Sequence, residues 1–429
     1  MTMVLTTASE IADYLCCQRN WHFCYKIQQI KALILKYSSA KLNVVQKTRN
    51  NPFSWRGQFT PELVEYFLDV HAGSNSLIAD PFSGSGTVLL ESLKRNLDVI
   101  GCEVNPAAYA MSKFFEIGAF TFSEKWKLCQ EVVCLVPLLE VNKPLYQKEK
   151  SSNYREAYEN FINFSKKAID AHSSKSQLVL ILNILFKMEN YKKLNIGQAW
   201  HKAYNEISEF LFSLPESSSS ISALLSDARN LHQQIERKID LIITSPPYIN
   251  VFNYHQNHRI IMELLDFDIL SVAHSEFGSN RKNRGNRFLT VTQYCLDMAQ
   301  ALSSLRKSIS EHGKVIMIIG RESNVKKTPF YNGRIIKDIC NQTNLFLITD
   351  ESERFFNNKF GTTIYEDILT LEPNNFNDNT DKPTREVAIS HLKDALERVP
   401  SESVADLEKA IELVNNISSS PIYNYRSKK

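Results

Sequence analysis

Seven short runs of apolar, often β-branched residues recur along the chain, most of them closed by an acid or a turn residue. They are residues 76–80, 98–103, 223–227, 240–244, 314–319, 345–349 and 367–371. Strands that are apolar at successive positions, with helical stretches between them, are covered on both faces and belong to a mainly parallel sheet. The last two runs have no convincing helix between them, which predicts an antiparallel pair at one end. The pattern therefore predicts an α/β fold: a doubly wound, seven-stranded, mainly parallel sheet.

Two stretches stand outside that alternation. Residues 120–220 are helical in pattern, rich in Lys, Leu and Tyr, and close in Ser217-Ser218-Ser219-Ser220. About 100 residues between the second and third strands are too many for a crossover, so they predict an inserted helical subdomain with possible DNA contact. After Pro373 an Asn/Asp-rich linker leads into two short helices, with Val404, Leu407, Ile411 and Val414 at heptad-like spacing. That tail, 373–429, reads as a helical hairpin packed on the domain's own surface, with a partner interface as the alternative. Residues 1–50 form an N-terminal helical segment, which leaves 51–119 and 221–372 as the sheet domain.

Composition narrows the class without choosing a function. Of 429 residues, 43% are hydrophobic and 23% charged, as in a soluble globular protein with an ample core. A formal charge of +3 permits a local nucleic-acid patch but does not demand one. The eight cysteines include no CxxC pair and no second pair at zinc spacing, so no metal site is expected. The start lacks the basic flank and apolar core of a signal peptide. The longest apolar run, 178–186, falls far short of the roughly 20 residues that span a bilayer. A cytoplasmic protein is expected.

The chemistry collects at the ends of the strands. After the first strand the chain reads Asp80-Pro81-Phe82-Ser83-Gly84-Ser85-Gly86-Thr87, then turns helical. Glycines there let the backbone turn tightly and approach a ligand, beside the N–H groups of the following helix. Glu103 ends the next strand roughly 20 residues on, where a carboxylate can hold both hydroxyls of a ribose. The third glycine of the dinucleotide fingerprint is missing, and no P-loop lysine occurs. Asp80 adds an anion to the turn, which repels pyrophosphate and attracts a cation such as an amine or sulfonium. Asp227, ending the third strand, is placed to accept from an adenine amino group.

The fourth strand runs into Thr244-Ser245-Pro246-Pro247-Tyr248. Proline has no N–H for the ladder, so the backbone leaves the sheet with its carbonyls unclaimed. The tyrosine is presented at the carboxyl end of the strand, where open α/β sheets bind ligands. Ser245 Oγ, the Pro246 carbonyl and the Tyr248 ring suit the grip of a planar, amino-bearing base.

Taken together, these motifs resemble the amino-methylating DNA methyltransferases that use S-adenosylmethionine on a Rossmann-like fold. In that family DPFxGSGT is the cofactor motif, the acid after the second strand binds the cofactor ribose, and S-P-P-Y is catalytic. Gln58-Phe59-Thr60-Pro61 is similar to a further cofactor segment of the family. The resemblance implies a cofactor set of Phe59, Thr60, Pro61, Asp80, Phe82, Ser83, Gly84, Gly86, Thr87, Glu103, Asn105, Asp227 and Thr244. It implies Ser245, Pro246, Pro247 and Tyr248 as the catalytic set. The large insert between the second and third strands departs from the family's usual layout, so the segment that reads DNA sequence stays open.

A base inside a duplex cannot reach such a pocket, so flipping is implied, with Phe252 and Tyr254 as candidate clamps. The stretch 274–287 brings Arg281, Lys282, Arg284 and Arg287 within a glycine-bearing loop suited to DNA contacts. Lysines of the insert are a second candidate. The expected partners are double-stranded DNA and a restriction endonuclease acting on the same site. Ser-Pro-Pro-Tyr resembles the cytosine-N4 members more than the adenine-N6 ones, and both targets stay open. An RNA-base methyltransferase would more usually carry aspartate at position 245. A nicotinamide oxidoreductase would need the missing glycine.

Overall fold

A computed structural model describes residues 41–44, 51–53, 55, 57–135, 145, 154–249, 254–278, 283, 285–357, 361–375 and 379–423. The expected N-terminal helical segment lies almost entirely outside them. Helix α1 (Pro61–His71) leads into β1 (Leu77–Asp80), α2 (Thr87–Lys94), β2 (Asp98–Glu103) and α3 (Pro106–Gly118). The region between β2 and the third strand holds α4 (Phe122–Leu135), α5 (Tyr154–Asp170), α6 (Lys175–Met188) and α7 (Ile196–Ser213). Then come β3 (Ile221–Leu225), β4 (Ile239–Thr244), α8 (Arg259–Leu264), α9 (Ile269–Ser275), α10 (Leu289–Ser308) and β5 (Ile309–Gly320). A hairpin of β6 (Glu322–Val325) and β7 (Thr328–Tyr331) precedes α11 (Asn332–Thr343). Strands β8 (Phe346–Asn357) and β9 (Thr363–Pro373) and the tail helices α12 (Asp381–Asp394) and α13 (Val404–Glu412) complete the order.

The main sheet has seven strands in the order β3-β2-β1-β4-β5-β9-β8. Pairs from β3 through β5 are parallel, while β9 runs antiparallel to both β5 and β8. This is the doubly wound sheet with a terminal reversal that the run pattern predicts. The strand order turns back between β1 and β4, so a crevice opens at their carboxyl ends.

Alternation along the strands explains the two layers. Ile78, Val99, Leu241, Ile243, Ile316 and Ile318 face one core, while Ala79, Ile242, Val315, Met317 and Ile319 face the other. The first core is covered by α1 to α3 and by the inserted helices. Helix α6 is buried nearly all round, as its apolar run requires. Asn183, which interrupts that run, donates from Nδ2 to the carbonyls of Ala110 and Val179, both at 2.9 Å. The opposite core takes α10, α11 and the tail, where Leu407, Ala410 and Val414 are buried. The tail helices pack against this core, with Val404 and Ile411 half-buried.

Three features depart from the sequence pattern. Strand β3 begins at Ile221, two residues before the predicted run, and leaves Asp227 to cap the 3-10 turn Ala228–Gln233. Strands β8 and β9 extend to 12 and 11 residues and continue as a two-stranded ribbon beyond the sheet, where Phe355 and Tyr365 are exposed. The hairpin of β6 and β7 is too short and too polar to read from pattern alone.

Candidate active site

The crevice is built from the turn after β1. Asp80, 1% exposed, accepts from the Thr244 hydroxyl at 2.7 Å and the Phe82 N–H at 3.1 Å. One hydrogen bond thus ties the ends of the two strands at the switch point. Burial pushes the Asp80 carboxyl up to about 7, against those two bonds. The loop closes through Ser83 N–H to the Cys102 carbonyl at 2.9 Å and Gly86 N–H to the Ser83 carbonyl at 2.8 Å. Gly86 has φ of +82°, and a Cβ there would stand 2.8 Å from the Phe115 ring. Only glycine fits both demands. Thr87 then opens α2, and Ser112 Oγ donates to the Gly84 carbonyl at 2.8 Å.

Glu103 sits across that loop. Its Oε2 accepts from Gly84 N–H at 2.9 Å and its Oε1 from Asn105 N–H at 2.8 Å. Asn105 in turn caps α3 through Oδ1, and is buried. A carboxylate offers about four acceptor positions, so two stay available for a vicinal diol. Desolvation raises the Glu103 carboxyl to about 7, against the two backbone bonds.

Asp227 is in the opposite condition. Oδ1 accepts from Arg229 N–H at 3.0 Å and Nε at 2.8 Å, while Oδ2 accepts from Arg229 Nη2 at 2.5 Å and Tyr423 N–H at 3.2 Å. All four acceptor positions are engaged, so the expected bond to an adenine amine meets a saturated carboxylate. Its carbons still line the cavity beside Ala228.

The Ser-Pro-Pro-Tyr segment closes the far side. Ser245 Oγ and the Tyr248 hydroxyl lie 3.0 Å apart. The Tyr248 ring packs flat against the end of β5, where a Cβ on Gly320 would come within 2.7 Å of it. Asn332, fully buried, ties this corner together by donating from Nδ2 to the Gly320 carbonyl at 2.7 Å and to Ser323 Oγ at 3.0 Å. Pro246 is buried, and Ser245 and Pro247 face the same cavity as Gly84, Glu103 and Asn105. The strand-end motifs, about 160 residues apart in sequence, thus share one cavity.

Other walls escaped the sequence reading. Trp55 stacks on Tyr254 at 5.8 Å between centroids, inclined by 17°, and both line the cavity. Tyr254, the candidate base clamp, thus lines the cavity beside Trp55, whose ring lies against Gly84. Phe252 lies outside the described residues. Ser275, Glu276 and Phe277, within the stretch read as a DNA loop, are buried and form cavity wall. Glu276 accepts from His255 N–H at 2.7 Å and pairs with its Nδ1 at 2.9 Å. Nothing local in these residues signals that role; it arises from tertiary packing.

Phe59, Thr60 and Pro61 approach the site without lining the cavity; Pro61 starts α1. Their neighbour Gln58 makes the link, donating from Nε2 to Ser85 Oγ at 2.9 Å and to the Phe53 carbonyl at 2.6 Å. Of the DNA-contact candidates, Arg281, Lys282 and Arg284 lie outside the described residues, and Arg287 is half-buried at the entry to α10. In the insert, Lys166, Lys167, Lys175, Lys192 and Lys193 are exposed, whereas Lys187 pairs with Glu206 at 2.9 Å.

The chain is similar to several known proteins. Residues 18–114 match a family model described as DNA methylase, across both the Gln58-to-Pro61 segment and the glycine turn. The chain is 20% identical to the Type II methyltransferase M.MjaII of Methanocaldococcus jannaschii, over 66% of this chain and 74% of that one. Among solved structures, TrmN from Thermus thermophilus is 13% identical with a TM-score of 0.31, covering 74% of this chain and 50% of its own. The rRNA methyltransferase aviRa from Streptomyces viridochromogenes is 13% identical with a TM-score of 0.32, covering 81% and 95%.

Proposed function

We infer that this chain, a member of the amino-methylating DNA methyltransferases that use S-adenosylmethionine, methylates cytosine at N4 in double-stranded DNA. One observation carries the reading. The strand-end carboxylate suited to a ribose lines one cavity with Ser245 and Pro247, and the Tyr248 hydroxyl lies 3.0 Å from Ser245 Oγ. When bound, the cofactor supplies a methyl group already activated on a sulfonium. Glu103 would hold the ribose diol with its two remaining acceptor positions, and Phe82, Asn105 and Asp227 would wall the nucleoside. Asp80, buried behind the turn, would favour a cation nearby in its ionised form.

An exocyclic amine is a weak nucleophile because its lone pair is delocalised into the ring. Ser245 Oγ and the Pro246 carbonyl would accept its two hydrogens and aim the lone pair into the cavity, while Tyr248 stacks on the ring. Positioning of this kind does most of the catalytic work when the donor is already activated. No covalent nucleophile is needed, and the buried Cys102 thiol beside the turn is pushed above its ordinary range by burial, which leaves it inert.

The choice of cytosine rests on Ser245. Its short hydroxyl can both accept from the amine and donate toward a neighbouring ring nitrogen. Adenine-N6 is the second reading, since the same grip serves either amine. We further propose that the protein acts in the cytoplasm as the modification half of a restriction–modification pair, a role in keeping with the type II methyltransferase it is similar to. Nucleoside mass spectrometry of DNA from cells expressing the protein tests the base directly. N4-methylcytosine is the expected product, and N6-methyladenine without it would overturn the cytosine assignment.

A further inference from the structure

We propose that the segment Ser420–Tyr423 is a strap of the cofactor site, clamping Arg229 so that docking of the segment and binding of the cofactor reinforce each other. The inference rests on reading the cavity as the S-adenosylmethionine site. The Arg229 side chain is 1% exposed. It lays its fork on Asp227 and spends its other donors on the tail. Nη1 reaches the Ser420 carbonyl at 2.8 Å, Ser420 Oγ at 3.1 Å and Asp297 Oδ1 at 3.3 Å, and Nη2 reaches the Pro421 carbonyl at 2.9 Å. The segment grips back, with Ser420 N–H on Asp297 Oδ1 at 2.7 Å and Tyr423 N–H on Asp227 Oδ2 at 3.2 Å.

What Arg229 holds is cavity wall. Its guanidinium lies over the Phe277 ring at 4.9 Å, and Phe277 meets Phe82 edge to face at 5.4 Å. Asp227, Phe277 and Phe82 all line the cavity. A buried guanidinium stripped of its partners carries a desolvation penalty that it relieves by moving. Without Ser420 and Pro421, Arg229 loses three of its contacts and is opened to water on that side while keeping Asp227 and Asp297, so its hold on the Phe277 ring and on the Asp227 wall loosens. A ligand that needs those walls in place must, by linkage, favour the docked segment to the same degree.

The test uses the full-length protein, with calorimetry and amide hydrogen exchange on the same samples, with and without saturating S-adenosylhomocysteine. Bound cofactor is expected to slow exchange at Ser420 and Tyr423 roughly tenfold, a typical size for coupling between sites. A chain ending at Ile417, checked for fold by circular dichroism, is expected to bind cofactor roughly tenfold more weakly. Unchanged exchange at both amides while calorimetry records binding would overturn the strap and leave the cofactor site standing. A full-length protein that binds no cofactor would overturn the cofactor reading and the strap with it. Should the shortened chain not fold, the exchange result on the full chain decides.

Discussion

Two carboxylates that end neighbouring strands are prepared for different work by their neighbours. Glu103 meets two backbone N–H groups and keeps half of its acceptor capacity for the cavity, whereas Asp227 has none left. Removal of Glu103 should therefore cost cofactor affinity directly, at roughly 1.5–3 kcal/mol for each charge-assisted bond lost. Calorimetry of Glu103→Ala showing wild-type affinity would refute the ribose contact. A pH dependence follows from the same residue. Burial raises the Glu103 and Asp80 carboxyls to about 7, so the folded protein keeps protons there that the unfolded chain has already lost. Their contribution to the stability of the ligand-free protein is full below the ordinary carboxylate range and declines as pH rises toward 7. Cofactor binding has the opposite sign, because the diol and the sulfonium both prefer the ionised forms. Affinity should rise between pH 6 and 8, and Glu103→Gln should flatten much of that rise. A flat wild-type profile would show that neither group titrates at the site.

At the scale of elements, the strands deliver the chemistry and one glycine sets its position. Gly320 ends β5 where the Tyr248 ring lies, and Asn332 locks that corner from the start of α11. Gly320→Ala should push the ring out of place, lowering turnover by one or more orders of magnitude with little change in cofactor affinity. That split is the signature of an effect on the acceptor base alone. Equal losses in both would mean that the corner supports the whole cavity. These elements also show what a sequence can disclose. Strand ends, the glycine turn and Ser-Pro-Pro-Tyr were legible because each is a local chemical pattern with a local structural consequence. Trp55, Phe277, Glu276 and Arg229 were not, because each acts through residues distant in sequence. Arg229 and Pro421, for example, are 192 residues apart. The stretch 274–287 was read as one exposed basic loop, yet its first residues are cavity wall and only the later ones carry the positive charge.

For the whole molecule, the balance of charge restricts how DNA can be held. The 50 basic and 47 acidic residues nearly cancel, so no general field draws in a polyanion. Among the described residues the cavity is lined by Glu103, Asp227 and Glu276 and by no lysine or arginine, which leaves the backbone contacts to its surroundings. Two candidate sources of cations are Arg281, Lys282, Arg284 and Arg287, and the exposed lysines of the insert. Asn286 donates from Nδ2 to the Asp406 carbonyl at 2.5 Å, and Lys326 pairs with the Asp406 side chain. Residues 275–277 are cavity wall, so the basic stretch that follows them in sequence is the candidate favoured here to meet a duplex whose base has been flipped inward. DNA affinity should fall steeply with salt. Replacing the four loop cations with alanine should flatten that dependence by up to about 0.9 in the logarithmic slope for each phosphate they contact. Changing Lys166, Lys167, Lys175, Lys192 and Lys193 together should leave the slope nearly as it was. The reverse result, a slope insensitive to the loop and sensitive to the insert, would transfer the DNA interface to the helices between β2 and β3.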